Sequence, residues 1–225
     1  DFHHVYEDLK LMINSLKKRN TMDPIVYNNL LIQYENKLKV LEQGFQKPYF
    51  ARIDFTSDDE HKKEICYIGK VGVVDSDGNL ITVDWRAPIA SLYYDSNIGP
   101  ASYTAPEGII NGTMNLKRQY EIENGELLSY RDVDTVSNDE ILKPYLGVNA
   151  DNRLKNIVSS IQNEQNTIIR EPITNNTICQ GVAGSGKTTV ALHRIAYLAY
   201  NLRDTIKSDQ YMVIGPNKLF INYIS

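Results

Sequence analysis

The sequence predicts a mixed fold, part α/β and part α+β. An antiparallel helical hairpin (residues 1–47) leads into a β-rich block (48–135), and the opening part of a phosphate-loop nucleotide-binding domain (136–225) follows. Three observations predict it. Apolar residues recur at alternating spacings of four and three through the first stretch. After Lys47-Pro48 the texture changes to period-two segments rich in aromatic residues. Finally, the run Gly181-Val182-Ala183-Gly184-Ser185-Gly186-Lys187-Thr188 satisfies the pattern G-x-x-x-x-G-K-[ST] in full.

The first stripe is Val5, Leu9, Met12 and Leu16, and the second is Tyr27, Leu31, Tyr34, Leu38, Leu41 and Phe45. Both have the spacing of helices that pack along a seam. Between them, Asn20-Thr21-Met22-Asp23-Pro24 breaks the pattern and restarts it, with Asp23 as N-cap and Pro24 at the first helical position. The hairpin is either an arm that reaches a partner or a helical pair packed on its own domain, and periodicity favours the second.

In the β-rich block the expected strands are Tyr49 to Phe55, Ile65 to Val74, Leu80 to Trp85, Ser91 to Tyr94 and Met114 to Ile122. Asp75-Ser76-Asp77-Gly78-Asn79 and Glu123-Asn124-Gly125-Glu126 carry turn chemistry, the second as an Asn-Gly pair of the kind that closes a two-residue hairpin. Asp84-Trp85-Arg86-Ala87-Pro88 holds the single Trp and is either a contact surface or wall beside the nucleotide or, the favoured reading, an Asp/Arg pair fastening a strand end over a buried ring.

From Ser137 the pattern is helical again. Ser137-Asn138-Asp139-Glu140 has capping-box spacing and opens a short helix ending at Gly147. A longer helix is expected over Asp151 to Arg170, with a polar middle at Gln162 to Asn166 that marks a break or a second start. Thr177-Ile178-Cys179-Gln180 suits a buried strand before the glycine loop. Thr189 to Leu202, free of Gly and Pro, suits a helix after it, packed on a sheet through Ala191, Ile195, Leu198 and Leu202. Tyr211 to Ile214 reads as a second buried strand, and Asn217 to Ser225 as the start of another helix.

The glycine loop carries the chemistry. Gly181, Gly184 and Gly186 let successive backbone N–H groups converge on phosphate oxygens at a helix N-terminus, where the dipole also favours an anion. Lys187 is placed to reach the β- and γ-phosphates of ATP, and Thr188 to set its hydroxyl on Mg²⁺, with Ser185 and Thr189 completing the cradle. The competing reading is a glycine-rich turn that matches by chance. A phosphate-loop ATPase also needs several parallel strands and a strand-end carboxylate for the metal, and no apolar strand ending in Asp or Asp-Glu lies between Thr189 and Ser225. The expectation is therefore the N-terminal part of a larger ATPase, with poor hydrolysis by this chain alone and the acidic and arginine partners of Lys187 beyond Ser225.

Composition narrows the classes. With 42% hydrophobic and 23% charged residues over 225 positions, the chain can bury a core, and a net charge of −4 argues against coating nucleic acid or membrane with its whole surface. No apolar run is long enough to span a bilayer, and the N-terminus lacks signal-peptide character, so a cytoplasmic location is expected. Cys66 and Cys179 each lie in an apolar, strand-like run and are expected as buried reduced thiols. His3, His4, His61 and His193 show no metal-ligand spacing.

Ile161-Gln162-Asn163-Glu164-Gln165-Asn166, the Gly181 to Thr188 loop and Ala191-Leu192-His193-Arg194-Ile195-Ala196-Tyr197-Leu198 together resemble superfamily 1 helicases of the UvrD/Rep type. In that resemblance Gln165 matches the glutamine that recognises adenine. A narrower one rests on Pro48 to Phe55, Asp84 to Tyr94, Leu116-Lys117-Arg118-Gln119-Tyr120 and Lys155 to Gln162, which are similar to HelD-type helicase-like ATPases. It implies a helical arm that enters the secondary channel of bacterial RNA polymerase, a head of two RecA-like domains, and ATP-driven release and recycling of polymerase from nucleic acid. The arm is short beside the family's.

One departure bears on DNA. Where UvrD-type helicases place a base-stacking aromatic, the run Val213-Ile214-Gly215-Pro216-Asn217-Lys218 puts Gly215. The loss of a stack worth about 1 to 3 kcal/mol per base weakens any single-strand grip there. The resemblance therefore implies a motor that rearranges a protein complex. A genuine ATP-dependent DNA helicase and a non-catalytic polymerase-docking module are the alternatives.

Overall fold

The computed structural model describes residues 2–18, 23–59, 61–75, 77–133, 161–203, 205–207 and 210–218. Its helices are α1 (Phe2–Lys17), α2 (Pro24–Gly44), α3 (Ser91–Asp95), α4 (Asn163–Arg170) and α5 (Lys187–Asn201). The strands are β1 (Ala51–Ser57), β2 (Lys63–Gly69), β3 (Val73–Val74), β4 (Leu80–Asp84), β5 (Gly99–Ala105), β6 (Gly108–Glu123) and β7 (Glu126–Asp132). Two compact units divide them, Asp1–Asn163 and Glu164–Ser225.

In the first unit, Asp23 caps α2 as its sequence predicts. The carboxylate accepts from Ile25 N at 2.8 Å and Val26 N at 3.4 Å, and Pro24 opens the helix. The hairpin buries Val5, Leu9, Ile13, Leu16 and Leu41, so the α1 seam runs through Ile13 where Met12 was expected. Met12 stands exposed because the stripe steps four, four and three, in keeping with a helix of 3.6 residues per turn. Val73, Val71 and Ile81 join the same apolar cluster. The root of the hairpin therefore shares a core with the β3–β4 end of the sheet, while Ile25 and Val26 at its turn end are exposed.

The seven strands form one mixed sheet in the order β3-β4-β2-β1-β6-β5, with β7 on β6. All pairs are antiparallel except β2 with β4, where Ile68 faces Val83. The 16-residue β6 is the spine: it pairs with β1 through its middle, with β5 along its first half and with β7 along its second. A register shift opposite Asp54 and Phe55 leaves Asn115 as an extra residue. The parity change puts Gly112 and Met114 before it, and Lys117 and Gln119 after it, all on the buried side. The Asn124-Gly125 turn has φ of 51° and 81°, as a two-residue hairpin with the right twist requires.

Three expected strands of this unit are corrected and one strand is added. Ser91 to Tyr94 is not a strand but the helix α3, preceded by a 3-10 turn over Pro88–Ala90. Leu92, Tyr93 and Tyr94 are all buried, which a strand with alternating faces does not provide, so packing overrides the strand preference of the tyrosines. Ile65 to Val74 is two strands, interrupted after Gly69, whose Cα lies so near the Pro48 carbonyl that a Cβ would come within 2.5 Å of that oxygen. The strand expected over Met114 to Ile122 begins at Gly108, and β5 has no counterpart in the expected set. The Asp84/Arg86 pair does fasten a strand end: Arg86 Nε and Nη2 donate to Asp84 Oδ1 and Oδ2 at 2.8 and 2.6 Å beside the buried Trp85.

α4 starts at Asn163, the second start marked by the polar middle, and carries the chain into the second unit, where α5 follows the glycine loop. Neither Thr177–Gln180 nor Tyr211–Ile214 forms a strand, and Ile178, Met212 and Ile214 are highly exposed. A strand exists only through ladder hydrogen bonds to a neighbour, and neither segment has one among the described residues. The described residues thus show a mixed α/β chain with N-terminal helices and a mixed sheet, without the parallel sheet of a RecA-like domain, and α5 is half-exposed where sheet packing was expected. The helix expected from Ser137 to Gly147, residues 151–160 of the longer helix, and residues 219–225 lie outside the described residues.

Candidate functional site

The glycine loop is built by its backbone. Gly184 and Gly186 have φ of 82° and 83°, in the left-handed region where a side chain is strained, and they turn the chain so that α5 starts at Lys187. Ser185 N donates to Val182 O at 3.3 Å, and Val190 N donates to Gly186 O at 2.9 Å as an early helical bond. By helix geometry the N–H groups of the first turn, Lys187, Thr188 and Thr189, have no intrahelical acceptor and stand at the positive end of the dipole.

Lys187 folds back over this turn. Its Nζ donates to the carbonyls of Gly181 and Val182 at 2.8 and 2.7 Å and lies 3.5 Å from Ser185 Oγ. The ammonium is thereby held at the centre of the loop. Gly181 is packed closely, since a Cβ there would stand 2.7 Å from Ser185 Oγ, whereas a Cβ on Gly184 would meet nothing within 4 Å. Thr188 is exposed on the first turn of α5, and Thr189 is half-buried. The Thr189 carbonyl accepts from His193 Nδ1 at 2.7 Å. Burial lowers the proton affinity of His193 despite that bond, which favours the neutral ring.

Gln165 is on α4 and comes to the same place: its Nε2 lies 3.5 Å from where a Cβ on Gly186 would stand. The expected residues Gln165, Gly181, Gly184, Ser185, Gly186, Lys187, Thr188 and Thr189 therefore fall on one loop, the helix it opens and one neighbouring helix. Sequence reasoning missed what joins the two helices. Arg194 of α5 donates to the carbonyls of Ile168, Ile169, Glu171 and Pro172 at the end of α4, at 2.9, 3.4, 2.7 and 3.3 Å. Because its acceptors are all backbone carbonyls, no residue pattern in α4 signals the contact.

Donors in this array suit a polyphosphate: first-turn N–H groups, one ammonium, a threonine hydroxyl and open space over Gly184. Among the described residues no group of three His, Cys, Asp or Glu is placed to hold a metal ion. A magnesium ion here would take Thr188 and phosphate oxygens as its ligands. Also among the described residues, no helix is long and apolar enough to cross a membrane. Cys66 is buried, which pushes its thiol up to about 12, but Cys179 is exposed, contrary to expectation, because the segment that carries it is not in a sheet.

No curated protein matches the chain. One family model does: that described as DNA helicase IV HelD, N-terminal domain, matches residues 3–141.

Proposed function

Because the chain belongs to the HelD helicase family, whose N-terminal domain spans more than half of it, we propose that it supplies the ATP-binding part of a HelD-like superfamily 1 motor ATPase. In this reading the motor binds bacterial RNA polymerase and uses ATP to release or recycle it from nucleic acid. The observation that carries the nucleotide reading is the convergence of Lys187, two left-handed glycines and Gln165 at the start of α5.

Bound Mg-ATP supplies the γ-phosphoryl group whose transfer to water drives the motor. The residues here bind and orient it. Lys187 would exchange the carbonyls of Gly181 and Val182 for β- and γ-phosphate oxygens. The N–H groups of Gly186 to Thr189 would hold phosphate charge, Thr188 would offer its hydroxyl to the metal, and Gln165 would recognise the adenine. Calorimetric titration of Mg-ATP tests the binding. Co-purification of the chain with RNA polymerase, with and without nucleotide, tests the partner: capture supports the reading, and its absence in both conditions counts against it.

The family's description as a DNA helicase favours a second reading, duplex unwinding. Gly215 in place of a stacking aromatic weighs against it. Strand displacement on a tailed duplex, abolished by Lys187→Ala, would establish it.

A further inference from the structure

We propose that Arg194 is a positioning residue that fixes Gln165 against the phosphate loop and so governs base recognition without touching the phosphates. The inference rests on the nucleotide-binding reading above.

The last carbonyls of a helix have no intrahelical donor and carry the negative end of its dipole. At the end of α4 those of Ile168 and Ile169 are taken by the Arg194 guanidinium, which also gathers Glu171 and Pro172 just beyond. A guanidinium, with five N–H donors spread over three nitrogens, suits this row of carbonyls because Nη1 and Nη2 share them. A second contact lies one turn further along α5, where the Arg170 guanidinium stands 5.1 Å from the Tyr197 ring and donates to Oδ1 of the fully buried Asn166 at 3.0 Å. Ile169 and Val190 are buried as well.

Gln165 precedes Ile168 and Ile169 by three and four residues, so it rides on the helical turn that Arg194 holds. The loop does not depend on this clamp. Its shape is held by the Lys187 bonds to Gly181 and Val182 and by the Ser185–Val182 bond. Releasing Arg194 therefore lets α4 and Gln165 move while the phosphate cradle stays formed. This separates a positioning role from a general structural one, because a loss of fold would weaken phosphate and base binding together.

The test uses the whole chain and two ligands, Mg-ATP and inorganic tripolyphosphate, titrated calorimetrically into wild type, Arg194→Ala and Arg194→Lys. Arg194→Ala is expected to lower ATP affinity about tenfold and to leave tripolyphosphate within about twofold. Arg194→Lys falls between, because an ammonium reaches fewer of the carbonyls. Equal losses for both ligands, or unchanged ATP affinity, overturn the proposal. Should Arg194→Ala unfold by circular dichroism, the ratio of the two affinities in Arg194→Lys decides in the same sense. A wild type that binds tripolyphosphate as tightly as ATP removes base recognition and this inference while leaving the phosphate loop standing. A wild type that binds neither removes the nucleotide reading and the inference with it.

Discussion

Lys117 is the most informative single perturbation of the fold. Its side chain is almost fully buried on the inner face of β6, where Nζ donates to Ser96 O at 3.0 Å and lies 5.4 Å from the Tyr93 ring. Burial lowers its pKa from 10.5 to about 8, against the opposing pull of Asp95. The folded state thus binds this proton more weakly than the unfolded chain. Below pH 8 both states are protonated and the fold carries the full cost of the buried charge. Between about pH 8 and 10.5 the folded state releases the proton first, so stability rises with pH. Each tenfold difference in proton affinity is worth about 1.4 kcal/mol, so the whole window is worth about 3 kcal/mol, about 2 of it between pH 7 and 9.5. Lys117→Met removes the titration and keeps most of the volume. Urea unfolding of both proteins at pH 7 and 9.5 should show wild type gaining about 2 kcal/mol relative to the variant. The comparison stops short of pH 10 because burial raises the tyrosines Tyr49 and Tyr103, whose ionisation in the unfolded chain then opposes the trend. A constant difference between the two proteins would refute the buried, proton-poor amine.

Other perturbations probe the same framework. A Cβ on Gly112 would overlap the Thr56 carbonyl and the Phe55 ring, so Gly112→Ala should cost about 1 to 3 kcal/mol in thermal or urea unfolding. Asp23→Ala removes both cap bonds of α2 and should cost about 1 kcal/mol, read from the same curves. Because Cys179 is exposed and Cys66 is buried, a thiol reagent at pH 8 should modify one cysteine at once and the second only on denaturation, with mass spectrometry assigning the fast site to Cys179.

Some of this was written plainly in the residues. The hairpin follows from its recurring apolar stripes, although the α1 seam takes Ile13 and not Met12, the α2 start follows from Asp23-Pro24, and the β6–β7 turn from Asn124-Gly125, because each depends on neighbours close in sequence. The glycine loop was legible for the same reason: its conformation is a local demand that Gly184 and Gly186 meet. What the residues hid is what distant neighbours decide. The tyrosines of α3 prefer strands, but their burial on one turn of helix is set by the sheet beneath. β5, the start of β6 and the turn between them carry Pro100, Pro106, Gly108 and Gly112, residue types that favour loops. Gly112 is required instead by the approach of β1. Apolar runs at Thr177–Gln180 and Tyr211–Ile214 have strand composition, but composition does not supply a partner, and Ile178, Met212 and Ile214 are exposed. In the candidate site, Gln165 and the loop were legible separately, whereas the Arg194 clamp between their helices was not, because its acceptors are backbone atoms that every residue possesses.

Nucleotide binding at the start of α5 is the central claim, and titration of Mg-ATP into the chain and into Lys187→Ala measures it most directly. Wild type should bind saturably and with dependence on Mg²⁺, and the variant should bind at least about tenfold more weakly, since it loses a charge-assisted contact to phosphate. Absence of binding by wild type, or equal binding by the two, would contradict it.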